Sequence, residues 1–164
     1  VPECMPQFTK MQRFLCIGQF YEMIHWGKQT TPEISEKIAR FKSAQYSFMY
    51  PLQLGLQIAQ RDNTILDKYA DATGLAFQIR DDWLDVSQDT TSGKDGNLDS
   101  KNSVSNIVQN LLKENTNDVP STKIAVEKLL GTYKSQALAS LDQIQLSTAQ
   151  KNSLLSLLEF STTL

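Results

Sequence analysis

Residues 74–85 carry three aspartates in an otherwise apolar segment, and this segment constrains the fold and chemistry of the chain more than any other. In a helix, Asp81 and Asp85 lie one turn apart and project from one face, with their Cβ atoms roughly 5–6 Å apart. Asp82 flanks them. Like charges at this spacing repel and destabilise the helix. A divalent cation would offset that repulsion, and Mg²⁺ commonly takes one or two carboxylates together with substrate phosphates.

The same spacing also fits a solvated acidic surface, which is the usual setting for charge clusters on helices. The residues around the three aspartates favour a mostly buried helix, because apolar side chains occupy much of its circumference. These side chains belong to Leu75, Ala76, Ile79, Trp83 and Leu84. Since buried charges need partners, the setting favours a metal site over a solvated surface.

Helical patterns dominate the chain, and no segment shows the alternation of a β-strand. A first helix is predicted over residues 7–27, ending near Gly27. Thr31 and Pro32 form a good helix start. That helix is predicted to run through Lys42, bend near Pro51 and continue towards residue 60.

The second half of the chain follows the same pattern. A helix capped by Asp62 or Asn63 is predicted to carry the aspartates as far as Val86, followed by a polar loop over residues 87–100. Three further helices are predicted near residues 102–114, 121–142 and 147–160, with Pro120 between the first two. The sequence therefore predicts an all-α domain, a bundle of long antiparallel helices.

Composition narrows the function classes. At 164 residues and 40% hydrophobic, the chain can bury a sizeable core as one domain. A net charge of −2 gives no electrostatic support for nucleic-acid binding. There is no twenty-residue apolar run and no signal-peptide pattern, so no stable membrane insertion is expected. Cys4 and Cys16 are too few for a disulfide framework, and reduced thiols point to a cytoplasmic protein.

Three segments resemble motifs of the trans-isoprenyl diphosphate synthases, the family that includes the farnesyl and geranylgeranyl diphosphate synthases. Residues 77–85, followed by Gly93 and Lys94, are similar to the second aspartate-rich motif of that family. Residues 41–51 resemble its Lys-Thr-Ala-x-Tyr-Ser-Phe segment, and residues 18–22 resemble its Gly-Gln-x-x-Asp with Glu in place of Asp. The three segments occur in the order found in the family. The resemblance implies the isoprenoid synthase fold and, as in relatives, a homodimer.

Members of the resembled family are longer and carry a first aspartate-rich motif in their N-terminal half. No such motif precedes residue 81 here. The resemblance therefore predicts that residues 1–164 form the C-terminal half of a single isoprenoid-synthase domain, with the N-terminal half and its first motif absent. The isolated fragment would then be inactive or nearly so.

The resemblance implies a trans-prenyltransferase that condenses an allylic diphosphate with isopentenyl diphosphate. The allylic substrate ionises with the help of Mg²⁺, diphosphate leaves, and no general base is required because the departing diphosphate can accept the final proton. The implied metal ligands are Asp81, Asp82 and Asp85. The implied catalytic residues are Lys42, Ser43 and Gln78. The implied substrate-binding residues are Lys42, Phe77, Lys94 and Lys101.

Each of these side chains also has an ordinary structural explanation. Lys42 fits a solvated helix position, Ser43 and Gln78 could bond to the helix backbone, and Phe77 could belong to the core. His25 is interpreted as structural, because a di-iron site would need a second Glu-x-x-His pair.

Two other functions remain open. One is a non-catalytic regulatory subunit or degenerate paralogue of a prenyl diphosphate synthase, although the intact aspartates argue against it. The other is a helical terpene synthase, which ionises a diphosphate without condensation. The segments around Lys42 and Phe77 fit the chain-elongating enzymes better.

Overall fold

A computed structural model describes the backbone of residues 2–91 and 106–164, and the side chains of residues 2–87 and 106–164. All regular structure in these residues is helical, which confirms the predicted all-α class. After a short 3-10 turn at Pro2–Cys4, the helices are α1 (Met5–Ile24), α2 (Pro32–Ala39), a π-helix (Arg40–Met49), α3 (Tyr50–Ile58), α4 (Asp67–Thr91), α5 (Ile107–Glu114), α6 (Val119–Leu141) and α7 (Thr148–Thr162). No helix in the described part of the chain is long and apolar enough to cross a bilayer.

The first predicted helix ends slightly early, and the second is divided. Helix α1 stops before Gly27, whose φ of 69° lies in the left-handed region that glycine adopts readily. The Thr31 hydroxyl accepts a hydrogen bond from the Ile34 amide at 3.4 Å, so the predicted cap is confirmed. The prediction of one helix bent at Pro51 was wrong. A π-helix lies between α2 and α3, and Pro51 occupies the first turn of α3, where its missing N–H costs little.

Helix α4 begins later and ends later than predicted. The Asp62 carboxylate accepts from the Thr64 amide at 2.9 Å in the preceding turn, so the helix starts only at Asp67. It continues to Thr91, so residues 87–91 are helical, and the rest of the predicted loop lies outside the described residues. Pro120 lies inside the first turn of α6 and not between two helices.

Helix α4 forms the centre of the fold, packed between the π-helix on one side and α5, α6 and α7 on the other, and the π-helix in turn packs against α1. One buried cluster joins it to α5 and α6, through Ala76, Ile79, Trp83, Val108, Val126 and Leu130. A second cluster joins its first turns to α6 and α7, through Leu66, Tyr69, Ala72, Ala137, Leu141 and Leu158. Each fully buried large aliphatic side chain contributes about 1.5–3 kcal/mol. This packing fixes α4, and the aspartates of its second half are fixed with it.

Candidate functional site

The three aspartates lie in the second half of α4 and differ sharply in exposure. Asp81 and Asp85 are exposed, whereas Asp82 is only 8% exposed. One turn earlier, the Gln78 amide donates a hydrogen bond to Asp82 Oδ1 at 2.8 Å. The helix therefore presents two solvent-facing carboxylates beside one that is buried.

Burial raises the pKa of Asp82 to about 7. The hydrogen bond from Gln78 lowers that pKa, the negative charges of Asp81 and Asp85 raise it, and the positive charge of Lys42 lowers it. Near neutral pH this carboxyl group is thus close to half protonated. Additional positive charge at this end of α4 would stabilise its ionised form.

Lys42 reaches this region from the π-helix. Its ammonium forms an ion pair with the Glu22 carboxylate at 2.7 Å, and both side chains are partly exposed. Glu22 is the last residue of the Gly-Gln-x-x-Glu segment on α1. The fold therefore brings the three sequence segments together, although they lie on three different helices.

Ser43 lies on the π-helix, and Phe77 lies on α4. Ser43 follows Lys42 on the π-helix and is half-buried. The ring of Phe77 lies 5.4 Å from the ring of Phe48 and stacks on that of Phe160 at 6.2 Å. Phe77 precedes Asp81 by one helical turn, so an apolar aromatic group borders the exposed carboxylates.

The oxygen ligands of α4 fit a magnesium ion that a diphosphate helps to hold. Within residues 2–87 and 106–164, no three His, Cys, Asp or Glu side chains are arranged to hold a metal by themselves. Asp81 and Asp85 supply only carboxylate oxygens, which are hard ligands. Mg²⁺ usually keeps waters and substrate phosphates among its ligands instead of occupying an all-protein cage. The residues present fit such shared ligation.

The remaining predicted residues lie outside the described part of the chain or make only local contacts. Lys94 and Lys101 lie outside the described residues. His25 Nδ1 lies 2.7 Å from the Tyr21 carbonyl oxygen, a local contact at the end of α1. The pairing of Glu22 with Lys42 was not predicted, although the glutamate at the acidic position of its motif was a usable signal. Arg40, which bonds to Glu36 at 2.7 Å and to Asp71, was not predicted either.

Comparison with solved structures identifies the fold. The chain superposes on a decaprenyl diphosphate synthase from Rhodobacter capsulatus with a TM-score of 0.76 at 17% identity, covering 99% of this chain and 59% of that one. It superposes on a geranylgeranyl pyrophosphate synthase from Corynebacterium glutamicum, complexed with isoprenyl diphosphate and magnesium, with a TM-score of 0.68 at 18% identity, covering 96% and 54%. The predicted isoprenoid synthase fold is confirmed.

Sequence comparison identifies the family. Farnesyl diphosphate synthase of Escherichia coli strain K12 is 39% identical over 85 residues, which are 49% of this chain and 28% of that protein. The chain thus spans about half the length of its solved relatives and less of this curated one. The family model described as polyprenyl synthetase matches residues 1–145. With most of its length matched, the chain belongs to the polyprenyl synthetase family.

Proposed function

We propose that this chain is part of a trans-prenyltransferase that joins an allylic diphosphate to isopentenyl diphosphate. One observation carries the proposal: the ion pair of Lys42 and Glu22 lies close enough to α4 for the lysine to lower the pKa of buried Asp82, beside exposed Asp81 and Asp85. An amine next to a cluster with excess negative charge suits a magnesium diphosphate. The complex of the Corynebacterium glutamicum relative with isoprenyl diphosphate and magnesium supports the same chemistry.

The aspartates of α4 would hold Mg²⁺ together with the diphosphate. Asp81 and Asp85 present oxygens to solvent, and Asp82 would become fully ionised as positive charge arrives. When bound, the ion neutralises charge on the leaving group. Lys42 would share its ammonium between Glu22 and a phosphate oxygen, acting as a point charge on the diphosphate.

Two oxygens near the aspartates would stabilise the allylic cation. The Gln78 amide nitrogen donates to Asp82, so the side-chain carbonyl oxygen of Gln78 is turned away from that carboxylate. The partial negative charge of this oxygen would then stabilise the allylic cation. The Ser43 hydroxyl would do the same from the π-helix. The aromatic group of Phe77 would line the isopentenyl side and exclude water. Lys94 and Lys101 would complete the phosphate contacts.

The proposed reaction needs no basic side chain of the protein, because the departed diphosphate accepts the proton that is released. The allylic C–O bond breaks as diphosphate leaves, and the double bond of isopentenyl diphosphate attacks the cation to form a C–C bond. A proton then leaves the product cation for the departed diphosphate. The residues above therefore need only bind, orient and exclude water.

The proposed activity is that of a whole synthase, since the chain spans about half the length of its solved relatives. We propose that these residues form the C-terminal half of its catalytic domain and that it acts as a cytoplasmic homodimer. The chain alone is expected to bind magnesium diphosphate weakly and to turn over poorly or not at all. Turnover by the chain alone would refute the requirement for further residues while supporting prenyl transfer.

Calorimetric titration of the chain with inorganic diphosphate, in the presence and absence of Mg²⁺, tests the site. The double variant Asp81→Asn/Asp85→Asn is expected to lose the magnesium-dependent part of binding. Lys42→Ala is expected to weaken binding with or without Mg²⁺. Asp142→Asn is the matched control, because Asp142 is an exposed carboxylate directly after α6 that pairs only with Lys151 among the described residues. Equal magnesium-dependent binding by the double variant and the control would contradict the proposal.

A further inference from the structure

Two glycines hold the π-helix at distances that no larger residue permits. A Cβ atom built on Gly18 of α1 would lie 2.6 Å from Lys42 N and 3.0 Å from Lys42 Cα. A Cβ atom built on Gly74 of α4 would lie 2.6 Å from Ala44 Cα and 2.8 Å from Ala44 Cβ. The closest contacts involve backbone atoms, which cannot rotate away as the end of a side chain can. A larger residue at either position must therefore move a helix.

The two contacts enclose a single turn of the π-helix from opposite sides. Lys42 and Ala44 are two residues apart, so they lie on roughly opposite faces of a helix. Ser43 lies between them. The turn that carries Lys42 and Ser43, the proposed catalytic residues, is thus the turn that packs between α1 and α4.

Each glycine also shares a helix face with a residue of the candidate site. Gly18 precedes Glu22 by four residues, so both lie on the side of α1 that faces the π-helix. Gly74 precedes Gln78 by four residues and Asp82 by eight, so the three follow one face of α4. The distance between each glycine and the π-helix therefore sets how close the π-helix comes to Glu22, Gln78 and Asp82.

The π-helix itself depends on such packing. The Tyr50 amide donates to the Gln45 carbonyl, the five-residue spacing that defines a π-helix. Runs of this geometry are rare and occur mostly as single turns, often at functional sites. A ten-residue run is thus held by its neighbours more than by its own hydrogen bonds. Glycine inside a helix costs about 1 kcal/mol relative to alanine, and here that cost permits the close approach of the neighbours.

We propose that Gly18 and Gly74 are positioning residues that fix the ammonium of Lys42 and the hydroxyl of Ser43 relative to Glu22 and Asp82. The chemical consequence rests on the proposed function, because it assumes that Lys42 binds diphosphate. The geometric consequence, which is the position of the π-helix relative to Glu22 and Asp82, does not rest on the proposed function. The two can therefore be tested separately.

The geometric test uses zero-length carbodiimide cross-linking followed by mass spectrometry. In the wild type, Lys42 and Glu22 are 2.7 Å apart and should couple, as should Lys134 and Glu159 at 2.5 Å between α6 and α7. In Gly18→Ala, the Lys42–Glu22 product is expected to fall by roughly threefold or more, since charge-assisted contact is lost when the helices separate. The Lys134–Glu159 product should persist, which shows that the rest of the chain is folded.

The chemical test measures binding of inorganic diphosphate with Mg²⁺. Gly74→Ala is expected to bind about tenfold more weakly, because the new Cβ atom displaces the turn that carries Lys42, and a charge-assisted contact with a phosphate oxygen depends on close approach. Gly55→Ala and Gly131→Ala are matched controls, since a Cβ atom at either position meets nothing within 4 Å. These controls should bind like the wild type and should be as stable or more stable.

A second variant separates positioning from a general loss of packing. Removing the methyl group of Ala44 relieves the 2.8 Å contact but leaves the 2.6 Å contact with Ala44 Cα, so Ala44→Gly in the Gly74→Ala background is expected to recover only part of the binding. Diphosphate binding by Gly74→Ala that equals binding by Gly55→Ala would overturn the inference for Gly74. Wild-type cross-linking in Gly18→Ala, with wild-type binding in Gly74→Ala, would overturn it altogether. If the wild-type chain itself bound no diphosphate, the proposed function would fail, and the cross-linking arm would still decide the positioning role.

Discussion

Asp82→Asn is expected to stabilise the chain, and by an amount that grows with pH. The Asp82 side chain is 8% exposed, and burial raises its pKa from 3.8 to about 7. An asparagine has nearly the same shape, can still accept the hydrogen bond from Gln78 and carries no charge to desolvate. A pKa difference of this size corresponds to about 4 kcal/mol when the group is fully ionised in both states.

The sign of the pH dependence follows from proton linkage. Between pH 3.8 and about 7 the folded chain keeps a proton on Asp82 that the unfolded chain has released, so folding stability falls as pH rises through this window and then levels off. Asparagine has no such dependence. The stability difference between the variant and the wild type should therefore increase by about 2–3 kcal/mol between pH 5 and pH 8. Titration of groups that do not interact with Asp82 is shared by both proteins and cancels in the difference.

Urea denaturation, followed by far-UV circular dichroism at several pH values, measures this difference directly. Asp142→Asn serves as the control, because Asp142 is exposed and its replacement should change stability by less than about 0.5 kcal/mol at any pH. A variant-minus-wild-type difference that is constant from pH 5 to pH 8 would refute the reasoning. So would a wild type that is more stable than Asp82→Asn at pH 8. With Mg²⁺ and diphosphate present, the difference should shrink, since the ionised carboxylate of the wild type contributes to binding and the asparagine does not.

Two further predictions concern how the helices are held. Arg40 contacts Glu36 on α2 and Asp71 on α4 and so joins the two helices. In a double-mutant cycle of unfolding free energies, Arg40→Met and Asp71→Asn should couple by roughly 1 kcal/mol or more. Strict additivity would show that the contact between Arg40 and Asp71 contributes nothing. Ser147 caps α7 by accepting from the Gln150 amide at 3.3 Å, so Ser147→Ala should lower the unfolding free energy by about 1 kcal/mol, whereas Ser156→Ala on the exposed side of α7 should not.

Features that depend only on neighbouring residues in the sequence, such as helix caps and buried helix faces, were predictable. The Thr31 cap and the position of Pro32 are set by neighbouring residues, and both were predictable. The burial of α4 follows from its apolar circumference. Even the difference among the aspartates had a signal, because Asp82 follows Ile79 by three residues and therefore lies on the buried face. Asp81 and Asp85 do not share that spacing.

Features that depend on contacts between helices were not predictable. A π-helix lies where an α-helix was expected, and its backbone contacts Gly18 and Gly74, which belong to other helices and lie far from it in sequence. The pairing of Lys42 with Glu22 joins residues twenty positions apart on different helices. Asp62 bonds within a turn in preference to capping α4, a competition between two local options that sequence alone does not resolve.

Three unfavourable features of this chain occur together, and their location is informative. A raised carboxyl pKa at Asp82, an unusually long π-helix and two helix-interior glycines each reduce stability. All three occur where α1, the π-helix and α4 meet, whereas α5, α6 and α7 are capped by side chains and pack on α4 through ordinary apolar clusters. Strain in a fold is tolerated where the surrounding structure determines the geometry, and it concentrates at functional sites. Since a bound cation and diphosphate would offset the excess negative charge beside Lys42, the same three helices should gain more stability from ligand than any other part of the chain.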